Sequence, residues 1–367
     1  MRILELSTFG ETCGIATYTE TLALALAKRG HDVVALAPTL RPGVEARAPE
    51  VTRLWGHQHA SIGEARRVFE RAIEIRPDVV HIQHNLRLFT ARFLFALTLL
   101  CRRARIPVVA TLHGTSGGSL RRSFEYRREI AAMVGAHFIV HNESHARDTG
   151  SRATVIKHGA PRRERRDLAE AKRALGIDPA RPVLVHFGFL TPHKGVEETL
   201  RAVAELKAGR SPSILYWIAG GTLPSNESRA HLERLRGLTS ELGLEQHVHL
   251  SGTFTPDDQT LSELQAGDWI VLNYRGTAGQ GTSGAARHAM AGGRPIAVSD
   301  TALFDDLREA AHTLRGPLAA ALAEMLDSPE LAEAANRRAD AFCEENSWER
   351  VAERHERLFE RVLAAGR

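Results

Sequence analysis

The segment Tyr274–Ser299 combines a loop of small residues, the start of a helix and a following apolar run. Three glycines in it leave the main chain open to a ligand: Gly279, Gly281 and Gly284. Thr282 or Ser283 is suited to cap the helix that continues to Ala291. Unpaired N–H groups and the positive end of the helix dipole then favour an anion such as phosphate. A simple glycine-rich turn between two elements is the alternative.

A second segment of the same kind, FGFLTPHKG, places Gly188 and Lys194 between a predicted strand and a predicted helix. A lysine at that junction adds positive charge to the helix N-terminus, which again suits phosphate. An unspecialised surface lysine is the alternative. Gly220 ends another apolar run in the same manner, and the main chain at Thr253 and Phe254 is a candidate wall for a nucleobase.

Two residues in the first half of the chain also follow predicted strands. Gly14 opens a helical pattern, where its N–H could meet a phosphate or a sugar. The loop that contains it has only Gly10 and Gly14, too few for the dinucleotide fingerprint, which disfavours an oxidoreductase. His113 stands at the carboxyl end of a strand and is suited to hydrogen bonding or proton transfer near neutral pH. For His113, a place in the core is the alternative.

The histidines do not form a metal-binding pattern. His81 and His84 lie three positions apart on a predicted strand, so their side chains face opposite sides. No carboxylate stands at ligand spacing, and the pair His57 and His59 is no better supported. We expect structural or substrate-contacting histidines here, and no metal ion.

Composition describes a soluble globular chain of 367 residues with a net charge of +4 and a pI near 9.2. That charge is too small to indicate a nucleic-acid partner. The arginines nevertheless cluster, either as solvated faces or as a peripheral contact with an anionic membrane or acceptor. These clusters are Arg102, Arg103 and Arg105; Arg121, Arg122, Arg127 and Arg128; and Arg162, Arg163, Arg165 and Arg166.

Export and membrane signals are missing from the sequence. Three widely spaced cysteines indicate neither a disulfide framework nor a zinc site. The first residues enter a strand pattern directly, without the apolar core of a signal peptide. No apolar run approaches the about 20 residues that span a bilayer. A cytoplasmic protein is the expectation.

Apolar runs alternate with amphipathic stretches along the whole chain, which predicts an α/β fold with parallel sheets between helices. The predicted strands are Ile3–Leu6, Val33–Ala37, Val79–Ile82, Val108–Leu112, Phe138–Val140, Thr154–Ile156, Val183–Phe187, Leu215–Ala219, His247–Leu250, Trp269–Leu272 and Ile296–Val298. The predicted helices are Ile15–Arg29, Ile62–Ile75, Ser119–Val134, Gly195–Lys207, Ser228–Leu242 and Ser283–Ala291, with only helices after about Pro317.

The polar stretch Gly159–Asp167 is the best candidate linker between two doubly wound domains. We expect an N-terminal, acceptor-side domain over residues 1–165 and a C-terminal, donor-binding domain over 166–346, with a last helix over 347–367. Open α/β sheets bind ligands at the carboxyl ends of their strands, so two such domains would face a central cleft.

With these motifs in this order, the chain resembles the retaining, nucleotide-sugar-dependent glycosyltransferases of family 4, which have the GT-B architecture of two Rossmann-like domains. The resemblance runs nearly from end to end. The motifs that carry it are CGIATYTE, VVHIQH, TLHG, VIKHGAP, FGFLTPHKG, IAGG, HLSGTF, GQGTSGAARHAMAGGRPIAVS and SWERVAERHERLFERVL.

The resemblance implies a nucleoside diphosphate sugar as donor, a hydroxyl acceptor that is a carbohydrate, a lipid-linked group or a small molecule, and no further cofactor. It implies that the last helix returns to the first domain. The catalytic residues expected are His113, Gln280 and Lys194. The donor-binding residues expected are Gly14, Gly188, Lys194, Gly220, Thr253, Phe254, Gln280, Gly281, Thr282, Ser283, Gly284 and His288.

The chain departs from the family at three positions. Gln280 and His288 stand where the family usually has two glutamates, the first near the donor sugar and the second on the ribose. Phe189 stands where the family often has an arginine beside the lysine, so one cation for the diphosphate is missing. Our hypothesis is that Arg275 or Arg287, both on the glycine-rich segment, replaces it.

The expected activity is therefore transfer of a sugar with retention of configuration. In such enzymes the leaving diphosphate helps to deprotonate the acceptor, while the protein supplies orientation and charge stabilisation. The lost glutamates leave two alternatives open: a catalytically silent nucleotide- or sugar-binding protein, and another GT-B enzyme such as a sugar-nucleotide epimerase or an inverting transferase.

Overall fold

A computed structural model describes residues 1–11, 13–40, 51–56, 60–85, 88–114, 120–222, 225–253, 257–276 and 282–365. The chain divides into two compact units. The first consists of Met1–Gly159, Ala278–Thr282 and Asn346–Arg367, and the second of Ala160–Thr277 and Ser283–Glu345. Each unit is an α/β domain built on one parallel sheet, as the alternating pattern predicts.

The first unit contains a seven-stranded parallel sheet with the order β3-β2-β1-β4-β5-β6-β7. Its strands are β1 (Arg2–Leu6), β2 (Asp32–Pro38), β3 (Thr52–Trp55), β4 (Val79–His84), β5 (Val108–Leu112), β6 (His137–Val140) and β7 (Ala153–Val155). β4 and β5 are buried along their whole length because helices cover both faces of the sheet. The order reverses between β1 and β4, which is where such sheets bind ligands.

The helices of the first unit are α1 (Gly14–Lys28), α2 (Ile62–Ile75), α3 (Ala91–Arg103), α4 (Leu120–Ala132) and α5 (Glu143–Thr149). Of these, α2, α3 and α5 begin after residues suited to cap them, namely Ser61, Thr90 and Asn142. Ser61 and Glu64 form a capping box at the start of α2. The Ser61 side chain accepts from the main-chain N–H of Glu64, and the Glu64 side chain accepts from the main-chain N–H of Ser61. Asn142 caps α5 in a similar way by accepting from the N–H of His145.

The second unit contains a six-stranded parallel sheet with the order β10-β9-β8-β11-β12-β13. Its strands are β8 (Val183–Phe187), β9 (Leu215–Gly221), β10 (Val248–Gly252), β11 (Trp269–Leu272), β12 (Ile296–Ser299) and β13 (His312–Leu314). The chain runs outward from β8 in one direction and from β11 in the other. The loops after β8 and β11 therefore flank the switch point of this sheet.

Helices on both faces of the second sheet complete the unit. They are α6 (Leu168–Ala174), α7 (Val196–Ala208), α8 (Asn226–Glu241), α9 (Asp257–Gln265), α10 (Gly284–Met290), α11 (Leu318–Asp327) and α12 (Pro329–Glu345), with 3-10 helices at Pro192–Lys194 and Ala302–Leu307. Two apolar clusters, one on each face, form the core. No helix in the described part of the chain is both long and apolar enough to cross a bilayer.

The last helix, α13 (Trp348–Ala365), packs on α1 and belongs to the first unit. Its Val351, Ala352, Leu358 and Phe359 join a core cluster with residues of α1 and of the sheet. The hydroxyl of Tyr18 on α1 also lies 3.4 Å from Nε2 of His355 on α13. A segment far along the chain thus completes the core of the N-terminal unit.

Two strands were not predicted from the sequence, β3 and β13. Both lie at the edge of a sheet and have four and three residues. Such segments are too short to show an alternation of apolar and polar residues. They form strands because they pair with a neighbouring strand and not because of their own sequence preference. The strands predicted over Val183–Phe187 and Trp269–Leu272 and the helix over Ile62–Ile75 have the same bounds in the structure.

Candidate active site

The turn after β8 is built around a close approach of two main-chain segments. Gly188 has φ of 130°, and its carbonyl oxygen lies where a side chain on Gly220 would begin. A Cβ at position 220 would stand 2.0 Å from that oxygen, so any residue other than glycine would clash there. The glycines at the ends of β8 and β9 therefore hold these two strand ends together and leave the turn bare.

Lys194 lies at the end of the 3-10 helix Pro192–Lys194, immediately before α7. The next residue, Gly195, has φ of 67°, and a Cβ there would stand 1.7 Å from the carbonyl oxygen of Asn273. This contact fixes the segment against the chain that follows β11. The Lys194 ammonium is half-buried and lies 3.7 Å from the centre of the Tyr274 ring, a cation–π contact.

Four elements of the second unit meet above Gly188. A Cβ added to Gly188 would lie 3.7 Å from Nζ of Lys194, 3.6 Å from the Tyr274 hydroxyl and 3.6 Å from Cβ of Ala285. Ala285 is the second residue of α10, the helix that the glycine-rich segment enters. The structure thus brings together the bare turn, the ammonium and the first turn of α10.

The start of α10 has the expected cap. The Ser283 side chain accepts from the N–H of Ala286 at 3.2 Å, so Ser283 rather than Thr282 is the N-cap. Gly284 is exposed, and no atom of the described residues lies within 4 Å of the position its Cβ would take. The first turn of α10 and Lys194 thus both lie close to Gly188, and a role in binding an anion stays a prediction.

The remaining predicted donor residues lie in different surroundings. His288 on α10 stacks on the Phe187 ring, with centroids 5.2 Å apart and planes at 17°. Thr253 is exposed just after β10, and its N–H and hydroxyl lie 3.4 and 3.3 Å from Oγ of Ser251. Three predicted site residues fall outside the described residues: Phe254, Gln280 and Gly281.

One half of the arginine hypothesis is wrong. Arg287 is 1% exposed, and its guanidinium forms an ion pair with the equally buried Asp306 and donates to the Ser283 carbonyl at 2.9 Å. It braces the start of α10 from inside and does not reach a ligand. Arg275 is exposed and pairs with Glu198 at 2.8 Å, so that pair would have to open before Arg275 could bind phosphate.

His186 on β8 lies beneath this site. Burial, with a smaller contribution from the Lys194 charge, lowers its pKa to about 3. The ring is therefore neutral at pH 7 and adds no second positive charge to the anion site.

In the first unit, Gly14 is the exposed first residue of α1. Cys13 is the N-cap, and its sulfur accepts from the N–H of Ala16 at 3.4 Å. Among the described residues, no atom lies within 4 Å of the position a Gly14 Cβ would take. The contact of its N–H with a ligand stays a prediction.

His113 is held by a buried chain of hydrogen bonds. Nε2 of Gln83 donates to the Glu5 carboxylate at 3.1 Å, so Oε1 of Gln83 faces His113 as an acceptor at 2.8 Å. His113 must then carry its ring proton on Nε2, which leaves a lone pair on Nδ1. Burial, aided by the charge of His158, holds the pKa of His113 well below its usual value, so the ring is neutral at pH 7.

His81 belongs to the same network, whereas His84 has a separate partner. Nδ1 of His81 donates to Glu5 at 2.7 Å and its Nε2 lies 2.8 Å from the Thr111 hydroxyl. His84 pairs with Glu129 at 3.0 Å. Within the described ranges, no three histidine, cysteine or acidic side chains gather as a metal site.

Acid is expected to destabilise both units, because His186 and His355 are buried without charge. Burial is the main cause that lowers the pKa of each to about 3, whereas an unfolded histidine protonates near pH 6.5. Between these values only the unfolded chain takes up the protons. The free energy of unfolding should thus fall by about 1.4 kcal/mol per pH unit for each histidine as the pH drops below about 6.

Urea unfolding at pH values from about 7 to about 5 measures this slope. In the His355→Gln variant this slope should be smaller by the contribution of one histidine, and the contribution of His186 should remain. An unchanged slope in that variant would mean that His355 is charged in the folded protein.

Comparison with known proteins agrees with this architecture. Residues 12–159 match the model of Glycosyltransferase Family 4, and residues 181–340 match that of the Glycosyl transferases group 1. The fold is shared with sucrose-phosphate synthase from Thermosynechococcus elongatus, at a TM-score of 0.73 and 16% identity over 100% of both chains. It is also shared with Anabaena HepE in complex with UDP, at a TM-score of 0.74 and 18% identity over 98% of this chain and 100% of that one.

The fold and the family models define a glycosyltransferase of the GT-B class. Within that class, the chain belongs to the family 4-like glycosyltransferases. A D-inositol 3-phosphate glycosyltransferase from Mycobacterium sp. (strain KMS) is 32% identical over 171 residues, which is 41% of this chain and 36% of the relative. A second, from Mycolicibacterium gilvum, is 36% identical over 30% of this chain and 21% of the relative. The chain spans about a third of the length of the first of these relatives.

Two features of the candidate site were not expected from the sequence. Tyr274 begins the glycine-rich segment, but no local pattern signals that its ring would lie against Lys194. The link from Glu5 through Gln83 to His113 joins three strands and is visible only once β1, β4 and β5 are neighbours. In β4 the signal was the presence of polar residues in a strand that is otherwise apolar.

Proposed function

We propose that the chain is a retaining glycosyltransferase that moves a hexosyl group from a nucleoside diphosphate sugar to a hydroxyl acceptor. The observation that carries the proposal is the meeting of Gly188, Lys194 and the start of α10 at the switch point of the second sheet. A bare turn, a fixed ammonium and the N-terminal end of a helix suit a diphosphate.

In this proposal the second unit holds the donor. Lys194 contacts the diphosphate, the loop with Gly281, Thr282, Ser283 and Gly284 holds the distal phosphate and sugar, and Gln280 binds sugar hydroxyls. Gly188 and Gly220 keep the turn open. His288 contacts the ribose, and the chain at Thr253 and Phe254 borders the nucleobase. The structure of HepE, a protein of the same fold, contains UDP, so uridine is the first donor nucleoside to try.

The first unit supplies the acceptor side in this proposal. His113 is a neutral ring whose Nδ1 accepts a hydrogen bond from a hydroxyl of the transferred sugar, and the amide of Gly14 faces the diphosphate. The leaving diphosphate takes the acceptor proton, so no protein nucleophile is needed, and stabilisation of the phosphate charge lowers the barrier. No metal ion or further cofactor is required.

The names of the relatives suggest which acceptor to test first. The sequence relatives are named D-inositol 3-phosphate glycosyltransferases, so a hydroxyl of a small phosphorylated polyol is the first acceptor to test. A lipid-linked acceptor at a membrane surface, met by the arginine clusters of the first unit, is the second. A cytoplasmic location fits both donors and acceptors of this kind.

Lys194→Met tests the donor site. UDP, GDP and ADP are screened by thermal shift, and the affinity of the best ligand is measured by calorimetry. Loss of one charged hydrogen-bond donor should weaken that affinity roughly 10- to 100-fold. Lys207→Met, which removes the same charge at the other end of α7, is the control and should bind as the wild type does. Equal affinities in all three proteins would refute the proposed site.

Catalysis and stereochemistry are tested with the matching nucleotide sugars. Mass spectrometry detects transfer or hydrolysis, and the anomeric signal in NMR gives the configuration of the product. An inverted anomer would replace the retaining mechanism by an inverting one. A silent nucleotide-binding protein is the second candidate, because Gln280 and His288 replace two acidic residues. Tight binding with no turnover of any donor would favour it.

A further inference from the structure

The family resemblance leaves the diphosphate one side-chain contact short, since Phe189 stands where an arginine is common. Neither nearby arginine fills the gap in the structure. Arg287 is buried in its pair with Asp306, and Arg275 is turned to Glu198 at the surface. A second side-chain donor beside Lys194 would therefore have to come from another residue.

Tyr274 has a hydroxyl that no described residue satisfies. The side chain is 2% exposed, yet its oxygen has no hydrogen-bond partner among the described residues. Its position is fixed, because Ser299 donates to the Tyr274 carbonyl at 2.6 Å and the Phe304 ring packs 4.9 Å away. A buried hydroxyl without a partner costs stability, and native proteins keep such groups mainly where they serve a ligand or a water.

That hydroxyl borders the same space as the Lys194 ammonium. Measured from the position of a Cβ on Gly188, the hydroxyl is 3.6 Å away and the ammonium 3.7 Å. The ammonium also sits 3.7 Å from the centre of the Tyr274 ring. The ring thus holds the cation on its face, and the hydroxyl at its edge lies near the same position beside Gly188.

We propose that Tyr274 is the second side-chain donor to the diphosphate and that its ring positions Lys194. The phenol donates to a phosphate oxygen above Gly188, and the ammonium contacts the same phosphate group. A neutral donor replaces the second cation of the family, so the site binds the diphosphate with one positive charge fewer. The inference deepens the proposed function and rests on it, because it assumes a nucleoside diphosphate at this site.

Two substitutions separate the two roles. Tyr274→Phe keeps the ring and removes the hydroxyl, whereas Tyr274→Leu removes both. The probe is whichever of UDP, GDP and ADP binds the wild type best, titrated by calorimetry without added metal. We expect Tyr274→Phe to weaken binding about 10-fold or more, as for a hydrogen bond to a charged group. Tyr274→Leu should be weaker again, because the ammonium also loses its support.

A double-mutant cycle with Lys194→Met tests the positioning role. In the Lys194→Met background, the Phe and Leu variants at position 274 should bind alike, since there is no cation left to hold. Tyr126→Phe in the first unit is the control. This tyrosine is also buried, its hydroxyl bonds to Thr149 at 2.7 Å, and its removal should leave the affinity unchanged. Circular dichroism confirms that each variant is folded.

The outcomes separate the inference from the function on which it rests. If Lys194→Met loses affinity and Tyr274→Phe binds as the wild type does, the hydroxyl is no donor and only the inference fails. If the nucleotide affinities of the Phe and Leu variants differ by the same factor with and without Lys194, the ring does not act through the lysine. If no nucleoside diphosphate binds the wild type, the proposed function fails and the inference with it.

Discussion

Gly195→Ala is expected to abolish nucleotide binding and to unfold much of the second unit at moderate temperature. The new Cβ would stand 1.7 Å from the Asn273 carbonyl oxygen and 2.9 Å from its carbon. Both are main-chain atoms, so no side chain can turn aside to make room. Either the 3-10 helix that carries Lys194 or the segment after β11 must shift, and Lys194 then leaves the Tyr274 ring.

Gly176→Ala is the matched control for this clash. Gly176 has φ of 72°, close to the 67° of Gly195, but no atom lies within 4 Å of its Cβ position. Alanine in this left-handed region costs about 1–2 kcal/mol at either site. Urea unfolding should give a loss of that size for Gly176→Ala and a clearly larger one for Gly195→Ala. Similar losses in both variants, with nucleotide binding intact, would show that the contact with Asn273 is unimportant.

Arg287→Met should strongly destabilise the second unit. It leaves the Asp306 carboxylate buried without its partner, and breaking a buried ion pair in this way costs about 3–5 kcal/mol. The Ser283 carbonyl loses a hydrogen bond at the same time. Because Ser283 caps α10, the start of that helix should loosen, and nucleotide affinity should fall along with the free energy of unfolding.

The double variant Arg287→Met with Asp306→Leu distinguishes charge from packing. Replacing both members of a buried pair by apolar side chains is often neutral or stabilising, so much of the loss should be recovered. Arg308→Met is the control, since Arg308 pairs with Asp300 and Asp305 at the surface and such pairs contribute at most about 1 kcal/mol. A loss in Arg287→Met no larger than in Arg308→Met would contradict the buried pair.

The sequence was most informative where structure is decided locally. The helix over Ile62–Ile75 was predicted with its bounds because its apolar spacing and the Ser61–Glu64 capping box lie within a few residues. The strand over Val108–Leu112 is apolar enough to be recognised alone. β3 and β13 could not be, since each becomes a strand only by pairing with a neighbour.

The candidate site also contains some residues that the sequence predicts and others that it does not. Gly188 and Lys194 were predicted because each follows a strand end, and parallel strands bring such ends to one edge. The burial of Arg287 was not predicted, because an arginine on a short helix is ordinarily exposed and its partner Asp306 lies 19 positions further on. The contact between Lys194 and Tyr274 likewise depends on β8 and β11 being neighbours.

The return of α13 to the first unit sets an order for folding during translation. The ribosome makes the whole stretch Ala160–Glu345 before it reaches Trp348. The nascent N-terminal unit therefore lacks Val351, Leu358 and Phe359 until then, and the apolar residues they cover stay open to chaperones and to other nascent chains. The second unit needs no such late segment, so it is free to fold first although it is made second.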